Sequence, residues 1–183
     1  YVTYNFKKRH IDADLHMAGA GSKVAIYSEA AHSHDPGMHT ADEDLVVQIS
    51  DLRLQDWITI NPFAPAIRGN LGTDLRVNLQ DGSISGEGDI TLGNLYYGKE
   101  RVGDLKAELD VQTGRSGRVS ADMALWVNGT KSMTLKGDLN DSTRTSPFNL
   151  DLNMIHFPLS TANAFLPGVA KLKGDIDGSM TVE

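Results

Sequence analysis

Residues Leu45 to Val77 and Leu150 to Val182 superpose without a gap at an offset of 105 residues. The pairs Leu45/Leu150, Val47/Leu152, Ile49/Met154, Leu52/Phe157, Pro62/Pro167, Gly69/Gly174 and Val77/Val182 keep apolar on apolar, Pro on Pro and Gly on Gly. A fixed period makes the chain a piece of an array. A second match sets Ile11 to Met17 on Leu105 to Val111 at an offset of 94 residues, and copies that tolerate such an indel are expected to be strand repeats with variable loops. On this period residues 1–43 finish one repeat, 44–148 make a complete one and 149–183 begin a third. The chain opens in mid-pattern and ends on the strand-like GSMTVE, as expected of a segment cut from something longer.

Within each copy the dominant period is 2. Leu71, Leu75, Val77 and Leu79 alternate with Gly72, Asp74, Arg76, Asn78 and Gln80, which gives a strand with one apolar face. After an Asp81-Gly82 turn the pattern returns as Ile84, Gly86, Gly88, Ile90, Leu92. Leu105 to Val111, Val119 to Val127, an Asn128-Gly129 turn, Met133 to Leu139, Leu150 to Met154 and Leu172 to Val182 continue the series. The apolar positions Leu75, Val77, Ile84, Ile90, Leu109, Val111, Met123, Leu125, Met133, Leu135, Leu152 and Met154 are expected to share one interior. Asp74, Arg76 and Glu108 are expected to be wet.

Two stretches break the alternation, Asp51 to Asn61 and Leu159 to Leu166, each followed by a proline. One or two helical turns are expected in each, with Ser160 as a helix N-cap. Nothing in the sequence is long enough to cover a sheet with helices, so the apolar faces need another cover. A sandwich, a closed barrel or a curled sheet would supply one. Glycines on the apolar register (Gly86, Gly88, Gly137, Gly174, Gly178) favour curling, because glycine in a strand marks curvature or close backbone approach. The expected fold is all-β: antiparallel strands curled into an elongated open trough with short capping helices. Its aliphatic and Met lining suits flexible acyl chains.

The composition closes several functional classes. A net charge of -7 and a single basic run, Lys7 to Arg9, argue against nucleic acid. With no cysteine, no disulfide, thiol nucleophile or zinc–thiolate site can form. No apolar run approaches the roughly 18 residues of a membrane-spanning helix. The stretch Ala31 to Asp44 holds His32, His34, Asp35, His39, Asp42, Glu43 and Asp44, but its Pro36-Gly37 marks a variable surface loop, so no metal is assigned to it. Gly-x-Ser-x-Gly is absent, Gly86-Glu87-Gly88-Asp89 lacks the strand-to-helix setting of a phosphate loop, and Asn128-Gly129-Thr130 reads as a type I′ hairpin turn. Alternating acids such as Asp12/Asp14 and Asp175/Asp177 belong to the polar faces of strands. Neither a catalytic set nor a cofactor site emerges.

The phrases G.I.LGNLYYGKERVGDLKAEL (Gly88 to Leu109) and PLS..N.FLPG...L.GD..G (Pro158 to Gly178) resemble recurring units of the TamB family, in its Bacteroidetes-like versions. TamB is the inner-membrane subunit of the translocation and assembly module of Gram-negative bacteria, within the AsmA-like bridge-type lipid-transfer proteins. The resemblance covers most of the chain. It implies a non-enzymatic periplasmic segment of an inner-membrane-anchored protein, folded as a β-taco. It also implies phospholipid acyl chains as the ligand, carried between inner and outer membrane. An outer-membrane barrel partner of the BamA/TamA type would be met through other parts of the protein during outer-membrane protein assembly. The alternatives are a chaperone-like β-surface for unfolded outer-membrane proteins and an extracellular β-sandwich binding module.

Overall fold

Alternation over almost the whole chain gives strands that can only hide their backbones by pairing, and successive short turns make sequence neighbours the natural partners. In the computed structural model, residues 2–5, 10–19, 21–30, 43–57, 66–80, 83–114, 117–139, 148–166 and 171–182 are described. The strands are β1 (Val2–Asn5), β2 (His10–Gly19), β3 (Ser22–Ala30), β4 (Glu43–Arg53), β5 (Ile67–Gln80), β6 (Ser83–Tyr97), β7 (Glu100–Thr113), β8 (Val119–Val127), β9 (Thr130–Leu139), β10 (Phe148–Pro158) and β11 (Asp175–Val182). Helix α1 (Leu54–Trp57) follows β4, and a 3₁₀ helix (Leu159–Phe165) follows β10.

All eleven strands form one antiparallel sheet in sequence order, so the fold is all-β, with two short helices among the described residues. β2 to β11 make a continuous ladder, while β1 pairs only with the His10–Ala13 part of β2 and β3 takes the rest. The two outermost strands do not pair with each other. The sheet is therefore open rather than a barrel, and it is one sheet rather than the two of a sandwich.

The repeat of 105 residues is written into the backbone. β4 pairs with β5 as Leu45↔Val77, Ile49↔Thr73 and Leu52↔Leu71, and β10 pairs with β11 as Leu150↔Val182, Met154↔Gly178 and Phe157↔Ile176. Each pair is the other moved by the same offset. The bulge between Ile49 and Leu52 recurs between Met154 and Phe157. At equivalent places Asp51 (φ 51) and His156 (φ 47) take the left-handed conformation, which is rare for a residue with a Cβ. The short helices start at equivalent residues, Leu54 and Leu159.

Four expectations need correcting. The offset of 94 sets β2 on β7, an even strand on an odd one, and these run in opposite directions in a meander. A translated copy must keep its direction, so the six-strand period that relates β4 to β10 equates β2 with β8, and the second match is fortuitous. The first break of alternation begins as strand, not helix: β4 continues through its bulge to Arg53. Ser160 is not a helix N-cap; the 3₁₀ helix starts after Pro158 with no side-chain cap, and the Leu159 N–H donates instead to the Gly174 carbonyl (3.0 Å). Finally, Leu172 and Gly174 precede β11. The Asn163 side-chain amide clamps Leu172, accepting from its N–H at 2.7 Å and donating to its carbonyl at 2.9 Å, which keeps that residue out of the ladder.

The Asn128-Gly129 turn has φ of 51 and 83, as a type I′ hairpin requires. Asn128 also ties this turn to the neighbouring strand: its N–H donates to the Asp104 carbonyl (2.7 Å) and its Oδ1 accepts from the Asp104 N–H (2.9 Å). The Asp81-Gly82 turn lies outside the described residues.

Buried apolar packing concentrates at one end of the sheet. Leu54 of α1, Leu95, Val102 and Ala164 of the 3₁₀ helix form a sealed cluster on which Ile67, Leu71, Leu92, Tyr97 and Leu105 pack. Tyr97 and Phe165 add a tilted ring pair with centroids 5.1 Å apart. Both short helices thus cap the same end of the same sheet face.

Candidate functional site

Residues directly opposite one another in an antiparallel ladder share a face, so the register alone builds the site. Starting from β5 and crossing to β10, one row reads Leu75, Gly88, Leu109, Met123, Leu135, Leu152. The row on one side reads Val77, Gly86, Val111, Ala121, Gly137, Leu150, and the row on the other reads Thr73, Ile90, Ala107, Leu125, Met133, Met154. Eleven of the twelve positions expected to share an interior fall in these three rows. For the twelfth, Ile84, the backbone pairs with Leu79 and the side chain lies outside the described residues.

None of the eleven is buried; every one is partly open to solvent. A chain of this size would ordinarily seal such residues in a core. Here the fully enclosed apolar side chains are few, and the main cluster sits at the capped end. The transition is sharp on β8: Leu125 is half-buried, whereas Val127, two residues on and opposite Leu105, is 2% exposed. The molecule therefore carries a broad apolar face that its own chain covers only at one end.

The rows extend past the expected set to Leu15, Val24 and Ile26 and to Val47 and Ile49. The last two were legible, because the 105-residue offset sets them on Leu152 and Met154. Val24 and Ile26 were hidden by Ala25 and Tyr27, which put apolar bulk on the polar register of β3 and blur its alternation.

The glycines on this face differ in role. At Gly88 (φ 150) an added Cβ would overlap the Asp74 carbonyl and lie 2.8 Å from the Leu75 Cα, so β5 and β6 meet there too closely for any side chain. At Gly86 a Cβ would make ordinary contact with Val77 Cγ2 at 3.6 Å, and at Gly137 it would reach Leu150 Cδ1 at 3.4 Å. Gly88 alone of these three is demanded by backbone approach. The other two leave space between larger side chains.

The opposite face is ionic. Its rows read Arg76, Glu87, Asp110, Asp122, Lys136, Asp151 and Asp74, Asp89, Glu108, Ala124, Thr134, Asn153. A hollow of about 680 Å³ opens over them. Carboxylates oppose one another across strands (Asp74↔Asp89, Asp89↔Glu108, Asp110↔Asp122), which destabilises the sheet unless water and cations intervene. Lys136 lies 3.5 Å from Asp122, and Lys106 donates to Glu108 at 2.8 Å. That hydrogen bond holds the Lys106 ammonium above its usual pKa. Lys106 and Lys131 flank the Trp126 ring at 5.7 and 5.4 Å. At the edge of this face Asp44, 7% exposed, accepts from Asn78 Nδ2 at 2.7 Å and lies 3.5 Å from Arg76. Asp74 and Glu108 are exposed as expected, and Arg76 keeps part of its guanidinium in water while paired to Asp44. Asp177, placed on a polar face by its spacing, also accepts the His156 N–H at the bulge (2.8 Å).

Of the His-rich stretch only Glu43 and Asp44 fall among the described residues, both in β4. Among the described residues no three metal-ligating side chains cluster, and no helix is long and apolar enough to cross a membrane. The feature that stands out chemically is the uncovered apolar face. Compared with known proteins, the chain matches no family model, no curated protein and no solved structure.

Proposed function

We propose that this chain is a non-enzymatic segment of a TamB-like periplasmic protein anchored in the inner membrane. In this reading its apolar sheet face is a trough for phospholipid acyl chains moving between inner and outer membrane, in the service of outer-membrane protein assembly. The observation that carries the reading is the set of three cross-strand rows of aliphatic and Met side chains, none of them buried. Apolar surface gains about 25 cal/mol for each Å² removed from water, and an acyl chain laid along the rows supplies that cover where the protein does not. Met123, Met133 and Met154 suit a sliding, variable ligand because their unbranched thioethers repack at little cost. The ionic face repels anionic headgroups, so a lipid has one side of the sheet to lie on. Periplasmic location, the membrane anchor and a barrel partner of the BamA/TamA type are carried by the resemblance of Gly88–Leu109 and Pro158–Gly178 to the family's repeating units.

A second reading, a chaperone-like surface for unfolded outer-membrane proteins, rests on the same uncovered apolar rows, which an extended apolar segment of an unfolded barrel protein would cover as an acyl chain does. Delipidated protein offered fluorescent phospholipid and an unfolded barrel protein in parallel separates the two. The trough predicts saturable phospholipid binding that Leu125→Asp removes. Binding of the unfolded barrel protein alone would overturn it.

A further inference from the structure

Trp126 belongs to the ionic face, away from the apolar rows. Its row reads Gly72, Thr91, Lys106, Trp126, Lys131, so a partly exposed indole lies among charges. The ladder is irregular on both sides of it. In β9 the pairing skips Ser132, which is fully buried, and sets Lys131 opposite Trp126 in its place. In β6 it breaks between Leu92 and Leu95, where Asn94 (φ 49) donates its N–H to Asp104 Oδ1 at 2.7 Å. Arg101 donates to the other oxygen of that carboxylate at 3.2 Å. Bulges of this kind re-aim side chains and recur beside functional sites. Here they surround a hollow of about 380 Å³ lined by Thr91, Gly93, Asp104, Lys106, Trp126 and Gly129. Its size is at the small end of the range for ligand pockets.

We propose that this hollow is a subsite for a neutral pyranose ring, stacked on the Trp126 indole with its hydroxyls shared among Asp104, Lys106 and Thr91. The occupant follows from the chemistry of the walls. Asp104 is pinned by two donors and keeps lone pairs for more, which suits a pair of hydroxyls. The Thr91 hydroxyl donates to the Gly72 carbonyl at 3.3 Å, so it meets a ligand as an acceptor. Lys106 and Lys131 hold their ammonium groups 5.7 and 5.4 Å from the ring centre, and both stems are open to solvent. A ligand can therefore take the ammonium's place over the indole. An anion would meet Asp104 and the nearby Glu108, and a cation would meet the two lysines. An aliphatic chain would strip water from Asp104 and return no hydrogen bond. A sugar ring answers every wall at once: an apolar C–H face for the indole, and hydroxyls that both donate and accept. The subsite lies on the face opposite the apolar rows and stands without any lipid.

Isothermal titration calorimetry of the whole chain with cellotriose and with triacetylchitotriose, both neutral β-linked pyranose trimers, tests this. Saturable binding of at least one trimer is expected, with Kd on the order of 1 mM or tighter. Trp126→Ala should weaken it at least about tenfold. Gly93→Val blocks the hollow without touching the indole. A Cβ added there meets nothing nearer than the Asn70 carbonyl oxygen at 4.0 Å, so the ladder is kept while the valine fills the space, and a loss of at least about tenfold is again expected. The chain has two tryptophans, so in a Trp57→Phe background the emission reports Trp126 alone and should change as the trimer binds. Three results would overturn the proposal: no saturable binding of either trimer, unchanged affinity in Gly93→Val or Trp126→Ala, or binding that leaves the Trp126 emission unmoved.

Discussion

Leu125 and Val127 lie on the same side of β8, since their partners Ala107 and Leu105 follow one another on β7 without a register break. One is partly open to solvent and the other 2% exposed, which makes them a matched pair for asking how the apolar face is covered. Aspartate at 127 would lose the burial of a valine and place an unpaired charge beside the sealed cluster, at a cost of about 3–5 kcal/mol. Aspartate at 125 forfeits most of the burial of a leucine, about 1–2.5 kcal/mol, while water reaches the new carboxylate. For a domain of this size each kcal/mol moves Tm by about 2–4 °C, so Leu125→Asp should melt about 2–10 °C lower and Val127→Asp about 6–20 °C lower. Thermal melts followed by circular dichroism, with phospholipid binding measured on the same samples, check this. Leu125→Asp should stay folded and lose lipid. Equal destabilisation at the two positions would refute the open face, because a closed core cannot hydrate either charge.

Gly88→Val should cost more than about 3 kcal/mol in urea denaturation, since its side chain meets the β5 backbone, whereas Gly86→Ala should change stability by less than about 1 kcal/mol. Similar losses at both would show that β5 and β6 are not closely apposed at Gly88. Asp51→Gly and His156→Gly should each stabilise the chain by about 0.5–1 kcal/mol, because relief of the left-handed conformation outweighs the added backbone entropy of glycine. A lower denaturation midpoint for both would remove the repeated bulge from the account.

The sheet was legible because strand periodicity and turn chemistry agree along the chain. Leu71 to Leu79, the return through Ile90 and Leu92, and the Asn128-Gly129 turn all carry the alternation and the positive-φ residues that hairpins require. The apolar face followed from the same alternation, since a one-residue error would have turned every side chain over. What escaped was set by tertiary contact. The bulges at Asp51 and His156 leave no local signal, though the offset places them on each other. The Asn163 clamp on Leu172 joins residues nine apart, and no periodicity reports it. The capped end depends on two short helices converging on one cluster, which strand patterns do not encode. The fortuitous match at 94 shows the reverse failure: seven residues of amphipathic strand resemble any other until strand direction is known.

If the proposed function holds, lipid lies on one face of this sheet and not on the other. A photocrosslinking amino acid placed at Leu125 or Leu152, and separately at Arg76, in the protein as expressed in cells tests it directly. Arg76 lies on the ionic face, opposite Val46 and Glu87. The account predicts phospholipid adducts at Leu125 and Leu152 and none at Arg76. Equal capture at both faces, or capture at Arg76 alone, would contradict it.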